Sequence, residues 1–392
     1  MGRTKLKRRS SHQQQVLVTI SLNTLSSSYL SLVSSTITSN TGLVLCNVID
    51  RARELQAGRS SSINATNAAK IYTADVGVGS RATHCKLLTS GIWIGANKAY
   101  EKTSTSQDTG CKFSLRCGDG SSVSGEQYED AVTLNSDLVI KNQSIGVTST
   151  SSGLGSLVGV LGVGPADLTL GTVSHTGEVP TVMDNLYTQG TIGSEVFGMF
   201  FAPASSDDSS GELTFGGYDD SEITGDISYV PITSTNPASR SWGINQSISY
   251  GTTSILAETA GIVDTGSTFI LIATDASSKY QSATGGTPDE ATGLLKTSPD
   301  QYDQLSSLYF TTGDVTYDLT PNGQIWPRSL NSAIGSATDS IYLVVSSIGS
   351  PSGSGLDFVN GHCFLERFYS VYNTTNSRVG FATTEYTYAT SN

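Results

Sequence analysis

Charge is scarce in this chain, and so are the residues that usually mark metal or disulfide chemistry. Charged side chains make up 14% of 392 residues, and there are 10 prolines, 5 cysteines, 3 methionines and 3 tryptophans. No apolar run reaches the roughly 18 residues that a membrane-spanning helix requires, so no membrane partner is expected. The cysteines (Cys46, Cys85, Cys111, Cys117 and Cys363) are odd in number and lack CxxC spacing, which points to neither a metal site nor a disulfide framework. Cys111 and Cys117 could bridge neighbouring strands, but free buried thiols are the better reading. Basic residues are outnumbered, with 22 Lys and Arg against 34 Asp and Glu and a formal charge of −12. That balance argues against nucleic acid and against an anionic membrane surface as partners.

What is present favours strands. The 41 glycines, many Ser and Thr and short β-branched runs suit an all-β chain with tight turns. The length predicts two domains or one large bilobed unit. Ile71 to Gly79 alternates and then breaks at glycine. Val132–Leu134 and Leu138–Ile140 flank Asn135-Ser136-Asp137, which predicts a hairpin. Helices are expected to be few. One is predicted over 299–309, with Ser298 as N-cap, Pro299 at the first position and Tyr302, Leu305, Leu308 and Tyr309 on one face. A second, short one is predicted over 180–188.

Charge is also unevenly placed. Residues 1–63 carry eight basic and two acidic side chains, a net of +6, so the remainder carries −18. This basic leader reads either as a prosegment held to an acidic body by charge, or as an unstructured tail. Its apolar patches, Val16 to Leu22 and Leu43 to Ile49, are interrupted by polar residues and make a poor signal peptide. Four sequons, at Asn64, Asn142, Asn245 and Asn373, are permissive for secretion and glycosylation.

Gly261-Ile262-Val263-Asp264-Thr265-Gly266-Ser267-Thr268-Phe269-Ile270-Leu271 is the most informative stretch. It sets a carboxylate on a tight turn between two apolar runs. Such flanks exclude water, while hydroxyls and backbone N–H groups hold the charge. A faint internal repeat supports two related lobes with a site between them. Val158-Gly159-Val160-Leu161-Gly162-Val163-Gly164 has a partner in Phe358-Val359-Asn360-Gly361, each pairing apolar residues with a glycine where chain segments could cross closely.

Together with Trp93-Ile94-Gly95, Gly211 to Asp219 and Arg378-Val379-Gly380-Phe381-Ala382, these motifs span about Ala68 to Thr384. Over that span the chain resembles a pepsin-like aspartic protease, nearest to the fungal polyporopepsin type. The resemblance implies an all-β, bilobal fold with a few short helices and an interlobe cleft. It implies a leader over 1–63, an N-terminal lobe with a flap over 64–235 and a C-terminal lobe over 236–392. It further implies a secreted monomer, made as a zymogen, that binds polypeptide in the cleft and hydrolyses it in acid without metal or cofactor. Two facing aspartates would share one proton, the standard illustration of like charges roughly 3 Å apart that cannot both ionise. One polarises a water as general base, and the other, protonated, binds the substrate carbonyl.

Asp264 matches the second of these aspartates, supported by Thr265, Gly266 and Ser267. The first motif is degenerate. Lys86-Leu87-Leu88-Thr89-Ser90-Gly91-Ile92-Trp93 places Thr89-Ser90-Gly91 in the Asp-Thr-Gly slot and lacks about four residues before Trp93. Asp108-Thr109-Gly110 lacks an apolar strand before it and reads as a loop turn. In the flap, Cys117-Gly118-Asp119-Gly120 has cysteine where relatives place tyrosine. Three readings follow: a weak or inactive endopeptidase, a pseudoprotease that keeps a peptide-binding cleft, or the product of a defective gene model.

Overall fold

The computed structural model describes residues 60–80, 82–89, 100–116, 122–152, 159–206, 210–336 and 339–392, and the backbone alone at 15–18, 83–86 and 88–89. In chain order come β1 (Gln15–Val18), β2 (Ser61–Asn67), β3 (Tyr72–Val78), β4 (Thr83–Thr89), β5 (Gln107–Arg116), β6 (Ser122–Thr133), β7 (Val139–Ser152) and β8 (Gly159–Leu161). Helix α1 (Val182–Thr188) precedes β9 (Val196–Phe201), β10 (Ser210–Phe215) and β11 (Ser228–Pro231). The second part holds β12 (Gly243–Tyr250), β13 (Thr253–Val263), β14 (Ile270–Ile272), α2 (Thr274–Thr284), β15 (Thr287–Pro288) and β16 (Leu295–Thr297). It ends with α3 (Pro299–Tyr302), β17 (Leu308–Thr312), β18 (Val315–Leu319), β19 (Ile341–Leu343), β20 (Val345–Ser347), β21 (Phe358–Asn360), α4 (His362–Leu365), β22 (Phe368–Asn373) and β23 (Arg378–Thr383). The all-β class and the scarcity of helix are as expected.

One sheet runs β11-β23-β22-β9-β10-β2-β3-β4-β8-β1-β7-β6-β5, and a second runs β18-β17-β12-β13-β21-β14-β20. The first sheet ties the two parts together. β22 and β23 lie beyond residue 236, yet β22 pairs with β9 and β23 with β11. Their apolar faces join one core in which Tyr72, Phe215, Trp242, Phe364 and Phe381 are all buried. Near the N-terminus, Gln15–Val18 forms a strand, antiparallel to β7 and parallel to β8.

The internal repeat has a structural counterpart. β4 runs parallel to β8, with Thr89 opposite Leu161, just as β13 runs parallel to β21, with Val263 opposite Asn360. Gly361 follows Asn360 where the chain crosses itself. A Cβ there would lie 2.3 Å from the Phe269 carbonyl oxygen and 2.4 Å from that of Ser267, so only glycine fits. The predicted hairpin forms: Leu134 N–H donates to Leu138 O, and Asn135 Oδ1 accepts from the Asp137 and Leu138 amides.

The helix expected over 299–309 stops after one turn. Ser298 and Gln301 form its capping box, but Leu308 and Tyr309 belong to β17, which pairs with β18 through a turn at Gly313. The β-branched Thr311 and Thr312 and the hairpin glycine outweigh the local helical signal. Helix α1 begins at Val182 behind a Thr181–Asp184 capping box, so Pro180 lies outside it.

Candidate active site

Asp264 stands at the end of β13, held from three sides. Its amide donates to Asn360 O at 3.1 Å. Its Oδ1 accepts from the Gly266 amide at 2.8 Å and its Oδ2 from the Ser267 hydroxyl at 2.8 Å. The turn therefore fixes both carboxylate oxygens with donors two and three residues downstream, and a glycine at 266 leaves the approach open. Beneath it, Asn360 is wholly buried and exchanges amide hydrogen bonds with Gln246 at 2.9 and 3.3 Å. That pair anchors the strand crossing on which the turn rests.

The start of α4 supports the turn from behind. The His362 amide donates to Ser267 O at 2.8 Å and the Cys363 amide to Thr268 O at 3.1 Å. The His362 ring contacts the Thr265 carbonyl through Nε2. Burial pushes the His362 imidazole down to about 4, against the raising effect of carbonyls at Thr265 and Lys70. Two hydrogen bonds carry the turn to the other lobe. Thr268 Oγ1 donates to Lys70 O at 2.8 Å, and Trp242 Nε1 donates to Val163 O at 2.8 Å. Trp242 in turn presents its own carbonyl to the Val263 amide.

The strand register places the opposing motif. Thr89 faces Leu161 as Val263 faces Asn360, and each of Leu161 and Asn360 is followed by glycine. Thr89 thus corresponds in register to Val263. Ser90 and Gly91 lie outside the described residues. Among the described residues, the buried Thr265 hydroxyl has no hydrogen-bond partner.

Cys117, Gly118, Asp119 and Gly120 also lie outside the described residues; β5 and β6 pair up to Arg116 opposite Ser122, which makes 117–121 their connection. Asp108 is not in a loop. It sits on β5, exposed, where the strand bulges and Gly110, at φ +69°, donates to Asp108 Oδ1. The bulge absorbs the extra residues that made Asp108-Thr109-Gly110 look like a turn. Among the described residues, Cys111 and Cys363 are free thiols. Sequence reasoning missed His362 and Glu366, and read Asn360 only as part of the repeat. Their signal was faint: polar residues directly after the apolar pair of the second repeat.

The sequence profile of eukaryotic aspartyl proteases matches residues 81–384. The chain belongs to that family. It is 56% identical over 341 residues to polyporopepsin from Irpex lacteus, covering 85% of this chain and all of that protein. Gastricsin from Cavia porcellus is 30% identical over 289 residues, 72% of this chain and 68% of gastricsin. The crystal structure of an aspartic proteinase from Irpex lacteus superposes with a TM-score of 0.81 at 55% identity, covering 85% of this chain and 100% of that one. The architecture is accordingly that of a pepsin-like aspartic protease, close to fungal polyporopepsin. No helix among the described residues is long and apolar enough to cross a membrane.

Proposed function

We propose that this chain is an aspartic-endopeptidase scaffold that binds extended polypeptide at its interlobe seam in acid, with hydrolysis crippled by loss of the first aspartate. The register of β4 against β8 carries this reading. In this reading Ser90 is taken as the counterpart of Asp264, and a serine hydroxyl cannot share a proton with a carboxylate in the way a second acid does. Water activation needs one acid to take a proton and another to hold one, and general acid–base catalysis contributes roughly 10²–10⁴-fold. Peptide binding rests on strand pairing and apolar pockets, which need no paired acids.

In this reading Asp264 is the remaining acid, Thr265, Gly266 and Ser267 hold it, and 117–120 form the tip of the flap. Residues 1–63 act as a leader, 64–235 as the first lobe and 236–392 as the second. The protein is a secreted monomer. Of its sequons, Asn64, Asn142 and Asn245 are exposed, whereas Asn373 is buried and accepts from the Asn376 amide, which withholds it from glycan transfer.

Calorimetry with an apolar octapeptide at about pH 3–4, followed by mass spectrometry of the recovered peptide, tests the proposal. Binding with the peptide intact supports it. No binding at any acidic pH points instead to a defective product, and turnover points to a working enzyme.

A further inference from the structure

The two lobes fill one slot in their sheets differently. In the second lobe, β14 lies between β21 and β20, antiparallel to the first and parallel to the second, in the order β13-β21-β14-β20. There β14 is the direct return of β13 through the Asp264 turn. In the first lobe the corresponding order is β4-β8-β1-β7, and the slot holds Gln15–Val18, from far upstream in the chain. This occupant points the other way. β1 is parallel to β8 and antiparallel to β7, with Val18 between Leu161 and Ile145 and Val16 between Gly159 and Val147. Because β7 and β8 run in opposite directions, any strand between them is parallel to one and antiparallel to the other, so either direction completes both ladders.

The sequence shows why a distant segment takes this place. Only Ser90-Gly91-Ile92 separates Thr89 from Trp93, where the second lobe has Asp264 to Phe269 between Val263 and Ile270. That leaves less chain for a return turn after β4. The slot is bordered by Ile145, Val147, Thr148 and Leu161, all buried. Left empty, it would leave backbone N–H and C=O groups of β7 and β8 unpaired away from water. Val16-Leu17-Val18 is a consecutive apolar run of the kind found in strands covered on both faces.

We propose that Gln15–Val18 is a built-in donor strand, which completes the first lobe's sheet in the slot that a return strand fills in the second lobe. The site is a strand-accepting groove between β7 and β8, and its ligand is an extended apolar segment held by main-chain hydrogen bonds. β8 runs on toward Val163, whose carbonyl accepts from Trp242 Nε1 across the lobe junction, so the inserted strand braces the segment that joins the lobes. Residues 15–18 therefore belong to the first lobe's fold. This inference is independent of the reading of the cleft, because the ladders form or fail whether or not peptide binds there.

The test is amide hydrogen exchange in the full chain, beside Leu17→Pro, in which the proline removes a donor from a strand paired on both sides. In wild type, the amides of residues 15–18 are expected to exchange at least about 10²-fold more slowly than in an unstructured chain. Leu17→Pro is expected to lower protection at Ile145–Thr148 and Gly159–Leu161 by at least about tenfold, with Val345–Ser347 and Phe358–Asn360 unchanged. Unstructured-chain rates at 15–18 in wild type, or unchanged protection of β7 and β8 in Leu17→Pro, overturn the proposal. Protection of 15–18 that vanishes on dilution would assign the strand to a second copy and overturn it equally. Should Leu17→Pro fail to fold, wild-type exchange at 15–18 across a dilution series still decides it.

Discussion

Glu366 Oε1 lies 3.0 Å from the phenolic oxygen of Tyr72, which itself hydrogen-bonds to the Ala202 carbonyl and accepts from Asn67 Nδ2 at 2.7 Å. The phenol has one proton, and the Ala202 carbonyl can only accept. The contact with Glu366 is therefore complete when Glu366 carries a proton of its own. Burial pushes the Glu366 carboxyl up to about 7, against the lowering effect of Tyr72 and Arg367. A carboxyl raised in the folded state stabilises fully below its unfolded value, and the contribution is lost as pH rises through about 7. That loss is roughly 3 kcal/mol across the transition. Glu366→Gln, whose amide can donate to the Tyr72 oxygen at every pH, is expected to flatten the fall of Tm between about pH 5 and pH 8. An unchanged fall would remove Glu366 from the account.

Four more groups shape the same profile. Burial raises Asp184 to about 6 and Glu195 to about 7, and both lose their contribution as pH rises through those values. His362, lowered to about 4, contributes fully above its ordinary value and loses that contribution as pH falls through about 4. Burial would raise Asp357, but hydrogen bonds from Thr259 and from Gly353 and Ser354 hold it below its ordinary range, so its contribution is lost in strong acid. Three raised carboxyls outweigh one histidine above pH 4. Thermal melts across the pH range are expected to peak near pH 4 and decline toward neutrality; a peak near pH 7 would contradict these assignments.

Gly261 packs directly on Phe358. A Cβ there would meet the Phe358 ring at 2.4 Å and its carbonyl oxygen at 2.5 Å, and the parallel pairing of β13 with β21 leaves no room to retreat. Gly261→Ala is expected to cost about 3 kcal/mol or more. Gly110→Ala, where nothing lies within 4 Å, suffers only the strain of φ +69°, about 1 kcal/mol. Denaturant melts of the two variants give the comparison.

Trp242 joins the lobes through its hydrogen bond to Val163 O and packs tilted against Tyr372, ring centroids 4.8 Å apart. Trp242→Phe keeps the ring contact and leaves a buried carbonyl without its donor. The expected cost is about 1–3 kcal/mol, read as a lower midpoint in urea with an unchanged slope.

Much of this arrangement was legible in the residues. The hairpin at Asn135, the scarcity of helix and the turn at Asp264 were local, and local chemistry decided them. The repeat of Leu161-Gly162 with Asn360-Gly361 located the chain crossings, because close packing demands glycine wherever it occurs. The rest was set by distant partners. Leu308 and Tyr309 are strand because β18 and β12 pair with them, and no window around residue 305 contains that information. The register that sets Thr89 opposite Leu161 is a property of β4 against β8, which no local window contains. Glu366 and His362 gain their meaning from Tyr72, Lys70 and Thr265, which are remote in sequence.

The most direct measurement is the rate at which the full chain cleaves an internally quenched apolar peptide at about pH 3–4, beside Asp264→Asn and beside a chain whose residues 89–92 are replaced by the second lobe's own Val-Asp-Thr-Gly-Ser-Thr. The account predicts that wild type and Asp264→Asn are equally slow, and that the graft gains at least about 10²-fold. Wild-type cleavage that Asp264→Asn abolishes would show that a second acid already serves the site.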